Sequence, residues 1–230
     1  MSNRFERLYE LPNNQYSPGS PVILMAGALL KDTQSNNVLV QLKFQSACSE
    51  SIHALCVDIE AYDITGREIQ GRNNYQYLDL SIQNGHTFGS NKAIILPDIT
   101  TRSFSIRRLS VVLSDGTTEF VSLPLIELAK GRTLQESLGN IELVKQYRLA
   151  TNSQAFHVPF EYADLWMCSC GQWNKYNTCT SCHISRQTVF SAYDLDILST
   201  NLNHRFMVEQ ENLRIEAELK ERKRSLRKVI

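Results

Sequence analysis

The sequence predicts a mainly β fold: an antiparallel β-sandwich followed by short helices, a small four-cysteine ribbon and a long C-terminal helix. Three observations predict it. Apolar and polar residues alternate between turn-forming pairs through the first half of the chain. Four cysteines lie within the fifteen residues from Cys168 to Cys182. From Tyr193 onward there is neither Gly nor Pro. The expected boundaries are 1–123 for the sandwich, 124–160 for short helices and an extended linker, 161–187 for the ribbon and 188–230 for the charged helix.

In the sandwich region, Val38, Val40, Leu42 and Phe44 alternate with polar residues, so their even positions face a core. Leu55, Val57, Ile59 and Ala61 set an odd inward phase in the next strand. The pairs Asn36-Asn37, Thr65-Gly66, Asn84-Gly85 and Asp115-Gly116 tolerate the positive φ of tight turns. Asp115-Gly116, between Leu109–Leu113 and Glu119–Leu123, marks a β-hairpin. Phe104 and Ile106 carry an even apolar phase, whereas Leu109, Val111 and Leu113 carry an odd one. The switch at Arg107-Arg108 is read either as a β-bulge absorbing one residue or as the meeting of two strands. Seven or eight short strands without intervening helical periodicity point to a sandwich of immunoglobulin-like type. Cys48 and Cys56, in or beside strand-like stretches, are expected to be buried structural thiols.

Beyond Pro124 the period changes. Thr133-Leu-Gln-Glu136 fits a capping box. Leu134, Leu138, Ile141, Val144 and Tyr147 then recur at helical spacing, interrupted at Gly139-Asn140, which predicts two short helices. Residues 155–160 read as an extended lead into the ribbon. In the last helix Leu195, Leu198, Leu202 and Phe206 form a narrow apolar stripe, a candidate partner or self-association face. Acidic residues dominate 209–218 and six basic residues fill 220–228, an order that complements the helix macrodipole.

Composition narrows the function classes. The 230 residues carry 24 Lys+Arg and 24 Asp+Glu, so bulk charge does not drive binding to polyanions. The longest apolar run, Val22 to Leu30, has nine residues against the roughly 20 that span a bilayer. No apolar leader segment opens the sequence, and thiols at metal spacing suit a reducing compartment; a cytoplasmic protein is expected.

The chemistry lies in the thiols. Two close pairs, Cys168/Cys170 and Cys179/Cys182, flank a short polar loop, and each pair can aim two sulfurs at one point. Gly171 after the second cysteine suits a knuckle turn that needs positive φ. One Zn²⁺ held by four thiolates is expected, with iron the alternative metal. Such a closed shell leaves no position for water, so the ion would be structural. His183 could compete as a ligand, but adjacent residues seldom reach the same face of a tetrahedral site, which favours Cys182.

Trp166, Cys168, Cys170, Asn174, Cys179 and Cys182 together resemble the Ran-binding-protein zinc finger of nucleoporins and splicing factors, over about twenty residues. The single residue between Cys168 and Cys170 and the shorter second loop depart from that family. The compressed Cys-x-Cys-Gly form resembles small zinc ribbons appended to bacterial proteins of unknown function, for which the resemblance implies a fold and a metal but no task. One subset of the nucleoporin-type fingers binds single-stranded RNA by aromatic stacking, which makes Trp173, Asn174 and Lys175 candidate ligand contacts. No arginine lies between Cys168 and Cys182, and the Thr-Phe pair of the ubiquitin-binding subset is missing. Trp173 is therefore read foremost as a lid on the metal site or a docking contact.

No Gly-rich phosphate loop, nucleophile elbow or His-Glu-x-x-His motif occurs. Asp58, Glu60 and Asp63 read as a solvated strand face. The leading expectation is a non-enzymatic zinc-binding adaptor whose partner is a protein. Single-stranded nucleic-acid binding through the ribbon loop and the basic tail is the alternative, and an enzyme with its site on the sandwich the third.

Overall fold

The computed structural model describes residues 4–226, with side chains described as far as Lys220. The chain divides into two compact units. One comprises Met1–Lys130, Glu161–Leu165 and Trp173–Lys175; the other comprises Gly131–Phe160, Trp166–Gln172 and Tyr176–Ile230.

The first unit is antiparallel β throughout. Its first four strands are β1 (Phe5–Glu10), β2 (Gln15–Tyr16), β3 (Val22–Asp32) and β4 (Val38–Ser46). They are followed by β5 (Ile52–Tyr62), β6 (Glu68–Tyr77), β7 (Thr87–Phe88) and β8 (Ala93–Ile95). The last three are β9 (Ser103–Leu113), β10 (Thr118–Phe120) and β11 (Ile126–Glu127). One sheet runs β11-β2-β3-β4-β7, with β1 also on β3 and β8 also on β4; the other runs β10-β9-β5-β6. Their inner faces share one core. Val38, Val40, Leu42 and Phe44 from one sheet and Leu55, Val57, Ile59, Ala61, Leu109 and Val111 from the other are essentially without solvent contact. The alternation read from the sequence is thus the alternation of burial.

The phase switch at Arg107 is a bulge inside a single strand. Asp58 pairs with Arg108, but Ile59 pairs with Ile106, so Arg107 has no opposite number. The extra residue aims its guanidinium at the outer face, 3.5 Å from Asp58 and 4.0 Å from Glu60. It also donates to Asn73 Oδ1 at 2.8 Å. Glu60 further accepts from the Tyr62 hydroxyl at 2.8 Å and Ser105 Oγ at 3.0 Å. The carboxylates of this face are therefore neutralised and hydrogen-bonded rather than merely solvated. Beside them a Cβ on Gly71 would lie 2.0 Å from the Ile59 carbonyl oxygen, so the irregular β5–β6 pairing admits no side chain there. Asp115-Gly116 turns β9 into β10 as an antiparallel hairpin. Cys56 departs from expectation: it is half-buried, because the odd inward phase of β5 turns position 56 outward, whereas Cys48 is buried.

The second unit is mostly helical. It contains α1 (Leu134–Leu138), α2 (Ile141–Thr151), α3 (Arg186–Ser191) and α4 (Leu195–Leu226). Thr133 and Glu136 form the capping box of α1. Gly139, in the left-handed region at φ 63°, ends that helix, and Asn140 caps α2. Leu134, Leu138, Val144, Tyr147, Ala155 and Leu198 build a small core. Ile141, assigned by period to the same face, is half exposed, because it is the first residue of a new helix and the break resets the phase. The short helix α3, capped by Ser185, was not foreseen; six residues are too few to show a period. Three further short strands are β12 (Phe160–Tyr162), β13 (Leu165–Met167) and β14 (Trp173–Asn174), the last of them in the first unit. No helix among the described residues is long and apolar enough to cross a membrane.

Candidate metal centre

All four cysteines lie in the second unit. Their sulfurs fall within 4.8 Å of one another. Cys168 Sγ is 3.5 Å from Cys182 Sγ, and Cys170 Sγ is 3.6 Å from Cys179 Sγ, so the close approaches run between the pairs and not within them. A tetrahedron with metal–sulfur bonds of about 2.3 Å has edges of about 3.8 Å. A disulfide requires about 2.05 Å. The spacing fits four ligands around one ion, and all four cysteines are free thiols.

Each pair is built as a turn. Gly171 N–H donates to the Cys168 carbonyl at 2.8 Å, and Cys168 N–H to the Gln172 carbonyl at 2.9 Å. Likewise His183 N–H donates to the Cys179 carbonyl at 3.0 Å, and Cys179 N–H to the Ile184 carbonyl at 2.9 Å. In both turns the residue after the second cysteine is left-handed: Gly171 at φ 93° and His183 at φ 60°. His183 is exposed and supplies a backbone conformation, which accounts for its place beside Cys182 without making it a ligand. The turns direct amides at sulfur. Cys168 accepts from the Cys170 N–H, Cys170 from the Gln172 N–H, and Cys179 from the Cys182 and Ser181 N–H groups. Such amides stabilise thiolate charge and orient the ligands.

Crowding couples the thiols of Cys168, Cys170 and Cys179. The hydrogen bond with Cys170 pushes the Cys168 thiol far up, whereas the hydrogen bond from Cys168 holds Cys179 far down. Four thiolates this close require a cation at their centre.

Packing around the sulfurs is thin. Trp166, Cys168, Cys179 and Val189 are buried, with Ile184 and Phe190 partly covered against them. Trp166 donates its indole N–H to the Tyr176 carbonyl at 2.7 Å and meets Phe190 edge-on at 6.2 Å. The amides of Phe156 and His157 both donate to the Ser169 carbonyl, at 2.8 and 3.0 Å. The His157 ring rests on the first turn, since a Cβ at Gly171 would come within 3.1 Å of it. Tyr147 gives its hydroxyl proton to the Val189 carbonyl at 3.0 Å, and burial pushes that hydroxyl up to about 12. His157 carried no signal in the sequence, and Tyr147 only that of a core-facing helix position, because what brings them to this site is the fold and not a local motif.

The expected ligand contacts lie in the first unit. Trp173 is 3 % exposed and Asn174 4 % exposed, so neither offers a free face on which a base could stack. The stacking expectation for Trp173 and Asn174 is corrected on that ground, the indole being used in packing. The Trp173 carbonyl accepts from Gln45 Nε2 at 2.9 Å. Lys175 is paired with Asp164 at 3.1 Å, and Asp164 also accepts from the Tyr16 hydroxyl at 2.9 Å and from the Gly19 amide at 3.3 Å. On α4 the stripe divides. Leu198 is fully buried and Leu202 half-buried, whereas Leu195 is 57 % and Phe206 48 % exposed. The side chains of the basic tail beyond Lys220 lie outside the described residues.

Comparison with known proteins finds no matching family model, no similar curated protein and no similar solved structure.

Proposed function

We propose that Cys168, Cys170, Cys179 and Cys182 hold one structural zinc ion and that the protein is a non-enzymatic interaction protein of the cytoplasm. The convergence of four sulfurs within 4.8 Å carries the metal reading. Zinc is favoured over iron because its tetrahedral four-thiolate form needs no redox partner. The ion would supply the charge that four thiolates require and close a segment with few buried apolar side chains. This chain's own part is to set the turns, aim amides at sulfur and cover one side with Trp166 and Val189. A four-thiolate shell leaves no site for a substrate or an activated water, which supports the non-enzymatic reading. Outside the cluster three carboxylates of the sandwich are bound up in structure: Asp32 with Arg4, Asp58 and Glu60 with Arg107.

Native mass spectrometry of protein purified under reducing conditions tests this directly. One zinc per chain is expected, lost in a Cys179→Ser/Cys182→Ser variant. A metal-free chain with all thiols reactive overturns the reading, and visible absorbance with bound iron replaces zinc by iron. Capture of protein partners from the native host, compared between wild type and that variant, tests the adaptor role.

A further inference from the structure

The packing line of α4 ends in charge. Leu198 is buried in the unit's own core beside Val144 and Tyr147 of α2, and Leu202 is half-buried. Arg205 follows seven residues after Leu198, within about 20° of it around the helix at 100° per residue. Where a third apolar residue would continue the line, the chain carries a guanidinium. On α2, Lys145, Arg148, Leu149 and Asn152 stand at i, i+3, i+4 and i+7, so they share one face. These five residues, with Ser153 and Gln154 from the turn after α2, line one cleft of about 480 Å³. All of them belong to the second unit.

Three cations line this cleft, and among the described residues no carboxylate does. Glu142 takes up the Lys145 ammonium at 2.6 Å from outside the lining. Neither Arg148 nor Arg205 forms an ion pair among the described residues. Arg148 is held without being neutralised. Its Nε donates to the Ala155 carbonyl at 2.9 Å, and its guanidinium lies 5.4 Å from the centre of the Phe156 ring. The outer N–H groups of that fork are left for another acceptor. The Arg148 and Leu149 carbonyls accept from the Ser153 and Asn152 amides at 3.2 and 3.3 Å, so they are not the acceptors these cations lack. Like charges converging without a counterion destabilise the folded chain, and a cleft lined by one sign concentrates ions of the other.

We propose that this cleft binds a small phosphorylated molecule, its phosphate held by Arg148 and Arg205. Two guanidinium groups without ion-pair partners match the charge of about −2 on a phosphate near neutral pH. The planar fork of arginine also meets phosphate oxygens in pairs. Lys145, shared with Glu142, serves a second phosphate. Leu149, 64 % exposed, gives the wall one large apolar group, and Asn152, Ser153 and Gln154 give it neutral donors and acceptors. The volume lies within the range of about 300–1,000 Å³ of small-molecule sites, more than a bare phosphate ion fills. The occupant is therefore an organic phosphate. This site uses no cysteine, and it stands apart from both the zinc and the interaction-protein readings.

Titration calorimetry of the full chain with pyrophosphate, at about 0.15 M salt so that diffuse attraction is screened, tests it. One pyrophosphate per chain is expected, bound at least tenfold more tightly than inorganic phosphate, which cannot reach Lys145 as well. Arg205→Gln, at an exposed side chain without an ion pair, should weaken pyrophosphate at least tenfold, and Arg148→Gln should do the same. Arg214→Gln removes the same charge from α4 outside the cleft and should leave binding unchanged. Lys145→Gln should erase the preference for pyrophosphate over phosphate. A wild type that shows no saturable binding overturns the proposal, and so does an equal loss in Arg214→Gln, which would reduce it to general charge attraction. A single-stranded RNA that is retained through Arg205 and that pyrophosphate cannot displace would overturn the small-molecule occupant.

Discussion

The sandwich and the cysteine ribbon solve the same problem by opposite means. In the first unit two sheets turn some twenty side chains inward, and burial of apolar surface at about 25 cal/mol per Å² opposes chain entropy. Around the cysteines the buried apolar cluster among the described residues is small: Trp166, Cys168, Cys179 and Val189. Too little apolar surface is removed from water there to order two turns and a loop, and the four sulfurs face each other with nothing but charge to organise. The first region should be insensitive to chelators and sensitive to cavities. The second should be the reverse.

The largest effect should come from metal removal. Structural zinc contributes about 10–16 kcal/mol in finger peptides. A chelator or the Cys179→Ser change should therefore abolish amide protection across 166–190 while β3, β4, β5 and β9 stay protected, as read by hydrogen exchange. Loss of protection in the sandwich strands at the same chelator concentration would break the comparison.

The converse change lies in the sandwich. Phe44 is fully buried between the sheets, edge-on to Tyr77 at 6.3 Å and tilted against Phe88 at 5.6 Å. Phe44→Ala should cost about 3–5 kcal/mol in denaturant unfolding of the first unit. Zinc stoichiometry by elemental analysis should not move.

The same contrast explains how much was legible in the sequence. Strand phase in β4 and β5 is written locally, because an alternating pattern with one buried face has one register. The phase switch was legible at Arg107-Arg108, but the pattern left a bulge and a meeting of two strands both open, and only the pairing of β5 with β9 decides for the bulge. Caps are local too, which is why Thr133 and Glu136 marked the start of α1, and Gly139 and Asn140 the break before α2. The thiol spacing marked the four cysteines whose sulfurs converge. Trp173 was harder: its burial depends on strands far away in sequence, and a loop aromatic beside a lysine looks the same whether packed or exposed. Leu195 and Phe206 share the spacing of Leu198, but a helix pattern does not say where its packing neighbours stop.

A finer test compares the two turns with each other. Both need a left-handed residue, yet one uses Gly171 and the other His183. Gly171→Ala meets the backbone cost and the His157 ring together, and about 1–3 kcal/mol of ribbon stability should be lost, measured by competition for zinc. His183→Gly relieves a strained position and should cost nothing or gain up to about 1 kcal/mol. If His183→Gly released the metal, the histidine would be a ligand after all.

The smallest effect concerns Asp164 in the first unit. Burial raises its carboxyl, but hydrogen bonds from Tyr16, Lys175 and the Gly19 amide outweigh that and hold it below the usual carboxylate range. A lowered folded value means the carboxylate's contribution is present above the unfolded value of about 3.9 and is lost as pH falls through the folded one. At roughly one-third exposure the ion pair is screened, so the contribution is about 0.5–1 kcal/mol. Protonated thiols would release zinc in the same acid range, so a global melt does not separate the two. The Gly19 amide does: its NMR shift should titrate below pH 4 in the wild type and stay flat in Asp164→Asn, which keeps an acceptor but carries no charge. A Gly19 transition that persists in Asp164→Asn would trace the acid sensitivity of this corner to the metal site instead.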